Sequence, residues 1–168
     1  MAASSEREAV DRARKLLGLS ENYLREYQEN AVIDLLRGKD TFVAQPTGAG
    51  KSLVYQLLPL ASDYLANPDR EIEITSHEGL TLFNVNSVVI VVSPLTSLIQ
   101  DQVTDFTKRK LHCLTLPNGS LSLSKASYIF TSPEALLQCI HTHIRNDEEF
   151  QSRLCAVVVD ESHCIVKW

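Results

Sequence analysis

The stretch Gln45-Pro46-Thr47-Gly48-Ala49-Gly50-Lys51-Ser52 has residue types and spacing that can do chemistry. It follows a short apolar run and precedes an apolar helical pattern, the strand–loop–helix setting of a phosphate-binding loop. Glycines there let backbone N–H groups turn inward around phosphate oxygens, and the following helix adds a favourable dipole. Lys51 would reach the β- and γ-phosphates of a nucleotide, and the Ser52 hydroxyl would ligate Mg²⁺. Gln45 stands where the strict pattern has glycine. A second candidate lies at the far end of the chain, where the apolar run Leu154–Val159 ends in Asp160-Glu161-Ser162-His163. Asp160 would hold Mg²⁺ and Glu161 would orient and deprotonate an attacking water. By itself an Asp-Glu pair after a strand also suits a helix N-terminus. The upstream loop gives the pair its catalytic reading, although a P-loop kinase shares such a pair.

The elements that must position these residues follow from periodicity. Residues 5–17 and 24–37 carry apolar side chains at helical spacing, the first with Ser4 or Ser5 as N-cap, and they stop at Gly18 and Gly38. A strand is predicted over Thr41–Ala44 and a helix over 51–65. Residues 66–86 are polar and irregular, an insertion with room for a small hairpin. Strands are predicted over 87–92, 112–116, 128–131 and 154–159, with helices over 95–107 and 133–144, the latter opened by Pro133. Residues 117–120 read as a turn. Short, continuous, apolar strands separated by helices predict an α/β fold, a parallel sheet covered by helices on both faces. Ligands of such sheets bind at the carboxyl ends of the strands, where Pro46–Ser52, Ser93-Pro94, Ser132-Pro133 and Asp160-Glu161 all fall.

Composition narrows the function classes. Of 168 residues 44% are hydrophobic and 22% charged, a globular balance. No apolar run approaches the roughly 20 residues of a membrane span, and no secretory leader is visible, so a nuclear (if eukaryotic) or cytoplasmic location is expected, without membrane association. The net charge of −5 disfavours gripping a polyanion by bulk charge. Lys108-Arg109-Lys110 is the one basic cluster and reads as a solvated helix end. The four cysteines, Cys113, Cys139, Cys155 and Cys164, form no C-x-x-C pair and read as reduced thiols. Cys139 and His143 would share a helix face near His141, but further metal ligands are not evident.

Taken in order, the motifs resemble those of superfamily-two helicases, and of RecQ-type DNA helicases in particular. Leu24-Arg25-Glu26-Tyr27-Gln28 is similar to the family's adenine-reading motif, and Pro46–Ser52 to its motif I, in which the first glycine is often replaced. Val91–Val103 (VVSPLTSLIQDQV) resembles RecQ motif Ia, Thr131-Ser132-Pro133-Glu134 motif Ib, and Asp160-Glu161-Ser162-His163-Cys164 with Trp168 motif II, Ser162 replacing the usual alanine. The resemblance implies a RecA-like P-loop NTPase lobe over residues 23–168, preceded by a helical segment over 1–22. It implies ATP and Mg²⁺ as cofactors, and ATP-driven 3′-to-5′ unwinding of DNA. Nucleotide would be held by Arg25, Gln28, Pro46, Thr47, Gly48, Ala49, Gly50, Lys51 and Ser52. Catalysis would fall to Lys51, Asp160, Glu161 and His163, with Mg²⁺ on Ser52 and Asp160.

Under the same resemblance Ser93, Pro94, Leu95, Ser97, Thr131, Ser132, Pro133 and Glu134 would hold DNA phosphates, through amides and hydroxyls that grip without reading bases. N-capping of the next helix is the bland reading of both Ser-Pro pairs. Departures from the family are the insertion at 66–86, a short stretch over 111–125, and an end at Trp168 inside the region of motif II. A second RecA-like lobe is expected in cis in a longer chain. Rival readings are a nucleotide-binding remnant without catalysis and a lobe of an RNA-directed DExH ATPase.

Overall fold

The computed structural model describes residues 2–72, 74–77, 80–116, 126–140 and 144–162. The chain forms two compact units, Met1–Glu71 and Ile72–Trp168.

In the first unit helices α1 (Ala2–Leu16), α2 (Glu26–Leu36) and α3 (Ser52–Ala66) pack on one another. The amphipathic spacing of α1 buries Ala9, Val10 and Ala13, whereas α3 is buried along Leu53–Ala61 on every side, as expected of a helix apolar all round. The helix α1 begins at Ala2, so Ser4 and Ser5 lie inside it rather than capping it; Ala2 and Ala3 are strong helix formers and extend it by a turn. Gly18, at φ +69°, ends it while the Leu19 N–H bonds the Arg14 carbonyl. The α1–α2 contact is fixed by an ion pair from Arg37 to the buried Glu6 at 3.0 Å, which holds the Glu6 carboxyl below the usual range.

The segment Thr41–Ala44, expected as a strand, is irregular, and Phe42 is 80% exposed. Among the described residues it pairs with no strand. A four-residue apolar run gains strand geometry only from a partner's hydrogen bonds, and no local pattern supplies that partner.

The second unit opens with the hairpin that the irregular insertion left room for, β1 (Ile74–His77) paired antiparallel with β2 (Leu80–Phe83). There follow β3 (Val88–Val92), α4 (Thr96–Lys108), β4 (Cys113–Thr115), β5 (Tyr128–Thr131), α5 (Pro133–Cys139), α6 (Glu148–Arg153) and β6 (Leu154–Val159). The last four strands make one parallel sheet in the order β4-β5-β3-β6, so the α/β expectation holds. Period-two alternation separates the faces. Phe106 of α4 meets Tyr128 and Phe130 edge-on at 4.9 and 5.1 Å, while Val88, Ile90, Val92 and Ile129 pack with Ala135 and Cys139 of α5 and Phe150 of α6. Both faces are therefore covered at the centre of the sheet. Cover is thinner over the edge strand β6, where Val157 and Val159 are 53% and 41% exposed.

Within the predicted helix 133–144 the α-helical part, α5, runs to Cys139, and the Arg145 N–H then reaches the Ile140 carbonyl at 3.0 Å in a wider helical turn. Residues 141–143 lie outside the described residues, and no helix is predicted at α6. Its local signal is Asp147, whose Oδ1 accepts from the Phe150 N–H at 2.8 Å, with Glu148 and Glu149 in the first turn. The buried Arg153 then donates to the Asn86 and Ala126 carbonyls at 2.7 and 3.2 Å, tying the amino ends of β3, β5 and β6.

Candidate functional site

The loop Gln45–Lys51 runs into α3, which begins at Ser52. Gly48 and Gly50 take φ of +79° and +86°, the left-handed region that closes the loop. The Lys51 Nζ donates to the Gln45 and Pro46 carbonyls at 3.0 and 3.2 Å. The ammonium is thus folded over its own loop, on two main-chain carbonyls. Pro46 and Thr47 are exposed and Ser52 is half-buried, while Ala49 is buried.

Helix α2 reaches the loop through neighbouring side chains. Gln28, 3% exposed, accepts from the Arg25 N–H at 2.8 Å through Oε1, one half of a capping box. Its Nε2 donates to the Gly50 carbonyl at 2.8 Å. A primary amide carries two donors and two lone pairs, so these bonds use half of its capacity. The Tyr27 hydroxyl donates to the Ala49 carbonyl at 2.6 Å. A Cβ on Gly50 would lie 2.8 Å from the Gln28 Nε2. The structure therefore brings Gln28 and the Gln45–Lys51 loop together. Arg25 takes part through its main chain, and its side chain is exposed. The motif assigned no role to Tyr27.

In the second unit three carboxyl ends lie side by side. The Ser93 N–H bonds the Thr131 carbonyl and the Asp160 N–H bonds the Val92 carbonyl, each at 2.9 Å. Ser93 and Thr131 are fully buried, and the Thr131 hydroxyl donates to the Ser132 carbonyl at 3.1 Å. Ser132 caps α5, its Oγ accepting from the Ala135 N–H at 3.2 Å. Glu134 is exposed, and its own backbone N–H and the Ser132 hydroxyl hold its carboxyl below the usual range. The other Ser-Pro pair does not cap, because α4 starts at Thr96 with Leu95 at the N-cap. Leu95 is 50% exposed; Ser97 is exposed, and Pro94 and Pro133 are half-buried. The surface offered here is thus Leu95, Ser97 and Glu134 with the edges of two prolines. Lys108–Lys110 close α4 as a helix end, with Arg109 ion-paired to Asp105 at 3.0 Å.

The Asp160 carboxylate is held from both sides. Gln102 of α4 donates to Oδ2 at 2.8 Å, and the Glu161 N–H donates to Oδ1 at 3.0 Å. Glu161 itself sits at φ +53°, a left-handed conformation that costs a side-chain-bearing residue energy. Gln102 lies inside the motif Ia stretch but had no role assigned; its signal is the i,i+3 spacing from Ile99, the apolar anchor of α4. His163, Cys164 and Trp168 lie outside the described residues, as do the predicted turn at 117–120 and the His141 and His143 pair. Among the described residues no metal-ligating cluster of His, Cys, Asp and Glu occurs. No described helix is long and apolar enough to cross a membrane.

Comparison with known proteins places these motifs in a family context. The sequence profile described as DEAD/DEAH box helicase matches residues 25–168. The chain is 30% identical over 178 aligned positions to the ATP-dependent DNA helicase Q5 of Rattus norvegicus, covering 97% of this chain and 16% of that protein. It is 31% identical to the ATP-dependent DNA helicase RecQ of Synechocystis, over 84% of this chain and 27% of that protein. It is 28% identical to the RecQ-like DNA helicase blm-1 of Caenorhabditis elegans, over 100% of this chain and 16% of that protein. The chain thus spans well under a third of the length of these relatives.

Proposed function

The chain belongs to the DEAD/DEAH box helicase family, and from that premise we propose that it is the ATP-binding part of a RecQ-type, 3′-to-5′ DNA helicase. The carrying observation is the phosphate loop: left-handed Gly48 and Gly50, with the Lys51 ammonium on loop carbonyls at 3.0 and 3.2 Å. Such a loop suits a chain of phosphates, which would draw Lys51 off those carbonyls and bond the loop amides. Gln28, buried against the loop with half its amide capacity in use, would read the adenine edge beside Arg25.

The oxygens of Ser52 and Asp160 are the hard donors that Mg²⁺ prefers, and they would hold it. The bound ion supplies charge neutralisation at the phosphates. Gln102 keeps the Asp160 carboxylate oriented, and Glu161 takes the proton of the attacking water. His163 would couple hydrolysis to DNA. The exposed positions Leu95, Ser97 and Glu134, with Pro94 and Pro133, would lie along a DNA strand, and the buried Ser93 and Thr131 would act through their backbone. A second RecA-like lobe in cis would complete the motor. Nuclear residence in a eukaryotic cell, and work in DNA repair or recombination, extend the same reading.

The test uses the full-length protein that carries this chain. Binding of Mg-ATP, ATPase stimulated by single-stranded DNA more than by RNA, and displacement of a strand from a 3′-tailed duplex are the expected results. Stimulation by RNA alone would replace DNA with RNA as the track. Nucleotide binding without any hydrolysis would make the chain a non-catalytic module.

A further inference from the structure

The two contacts from α2 to the phosphate loop are not equivalent. The Gly50 carbonyl, which Gln28 bonds, also accepts from the Leu53 N–H at 3.1 Å, so the first turn of α3 already orients that peptide. The Ala49 carbonyl lies one residue earlier, outside that turn, and receives the Tyr27 hydroxyl at 2.6 Å across 22 positions of sequence. In a trans peptide unit the C=O and the N–H point in opposite directions. Anchoring the Ala49 oxygen toward α2 therefore aims the Gly50 N–H away from α2. The Gly50 φ of +86° allows that plane to turn, so something must fix it.

We infer that Tyr27 is a positioning residue of the phosphate loop: its hydroxyl sets the Ala49–Gly50 peptide plane and so presents the Gly50 N–H to the phosphates of a bound nucleotide. This rests on the nucleotide-binding reading of the same loop. It assigns Tyr27 to the phosphates, whereas its neighbour Gln28 is the candidate for the base. One oxygen atom carries the effect, so Tyr27→Phe removes it while leaving the ring in place.

The experiment measures binding of Mg-ADP, pyrophosphate and adenosine to the full-length protein, wild type and Y27F, by calorimetry or competition. Loss of one neutral hydrogen bond weakens a presented donor by about three- to ten-fold. That loss is expected for Mg-ADP and pyrophosphate alike, with adenosine affinity and the ATP-to-GTP preference unchanged. Faster amide hydrogen exchange at Gly50 in Y27F is the second expected readout, and it needs no ligand. Unchanged pyrophosphate binding, or an equal loss for adenosine and pyrophosphate, would overturn the assignment. Failure of the wild type to bind Mg-ADP or pyrophosphate would instead strike the nucleotide-binding reading itself.

Discussion

The phosphate loop and the acidic turn both follow apolar runs, yet they are held by different means. The run before the acidic turn is β6, paired with β3 from Val88 opposite Leu154 to Val92 opposite Val159, and the ladder continues into the Asp160 N–H. Backbone pairing therefore delivers the carboxylate, and Gln102 with the Glu161 N–H only trims its orientation. The run before the phosphate loop, Thr41–Ala44, is unpaired among the described residues. That loop is held by side chains from α2, Tyr27 and Gln28, and by its own glycines and lysine. The difference teaches where each region is vulnerable. The turn should tolerate changes around its acids better than changes of the acids, while the loop should respond to single atoms in its tethers.

The largest expected effect tests the turn. Glu161→Gln keeps size and hydrogen-bonding shape but removes the proposed base. ATP hydrolysis by the full-length protein should fall by about 10²–10⁴-fold, with Mg-nucleotide affinity nearly unchanged. A parallel loss of affinity would show that the turn's acid holds the nucleotide rather than acting on the water, and the contrast would break.

A second, smaller effect tests the loop. Gly50→Ala places a Cβ 2.8 Å from the Gln28 Nε2 at a φ of +86°. Left-handed backbone alone costs an L-residue roughly 1–2 kcal/mol. With the Gln28 contact disturbed as well, nucleotide affinity should fall by about 10–100-fold, since 1.4 kcal/mol is ten-fold in binding. Gly48→Ala is the matched control, with φ +79° but nothing within 4 Å of the added carbon. Its loss, read by the same titration, should stay within the roughly five- to thirty-fold that the backbone cost alone represents, below that of Gly50→Ala. Equal losses at the two glycines would remove Gln28 from the account.

Below these comes Gln102→Ala. Asp160 keeps its main-chain position through the Val92 carbonyl and keeps the Glu161 N–H on Oδ1. Loss of one hydrogen bond to a charged group is worth about 1.5–3 kcal/mol when buried. With half-burial and a surviving ladder, the fall in DNA-stimulated ATPase should sit at the low end, about ten-fold. A fall as deep as that of Glu161→Gln would mean that the ladder alone does not place the carboxylate.

The same contrast explains what the sequence made legible. Val88–Val92 and Tyr128–Thr131 are buried throughout, and their apolar runs with flanking helices were enough to predict a parallel sheet. The sequence spacing also placed Gly48, Gly50 and Lys51 in a loop before a helix and Asp160 after a strand, because local turn geometry requires those residue types. Thr41–Ala44 carried the same kind of local signal and did not become a strand, since pairing is decided by residues distant in the chain. Tyr27 and Gln102 escaped for a similar reason: each acts through one long-range bond, across 22 and 58 positions. The short α6 was missed because its signal is a cap and three charges rather than an apolar stripe.

The smallest effect separates strain at the proposed catalytic turn from strain at a plain helix end. Lys110 and Glu161 are the described non-glycine residues at positive φ, +64° and +53°. Lys110 ends α4 in a Schellman arrangement, with the Leu111 N–H on the Phe106 carbonyl at 2.9 Å and the Lys110 N–H on the Thr107 carbonyl at 3.0 Å. Its exposed side chain makes no contribution to that geometry, and its carbonyl, which accepts from the Phe83 N–H at 2.8 Å, survives any substitution. Lys110→Gly relieves about 1–2 kcal/mol of left-handed cost but returns roughly 0.5–1 kcal/mol as added freedom of the unfolded chain. The net is a gain of about 0.5–1 kcal/mol, a rise in melting temperature of roughly 1–4 °C for a chain of this size. ATPase should be unchanged. Glu161→Gly should relieve similar strain and abolish hydrolysis, so stability and activity move apart at Glu161 and not at Lys110. A melting temperature that falls in both variants would show that neither residue is strained, and that the left-handed turn at the acidic pair is ordinary loop geometry.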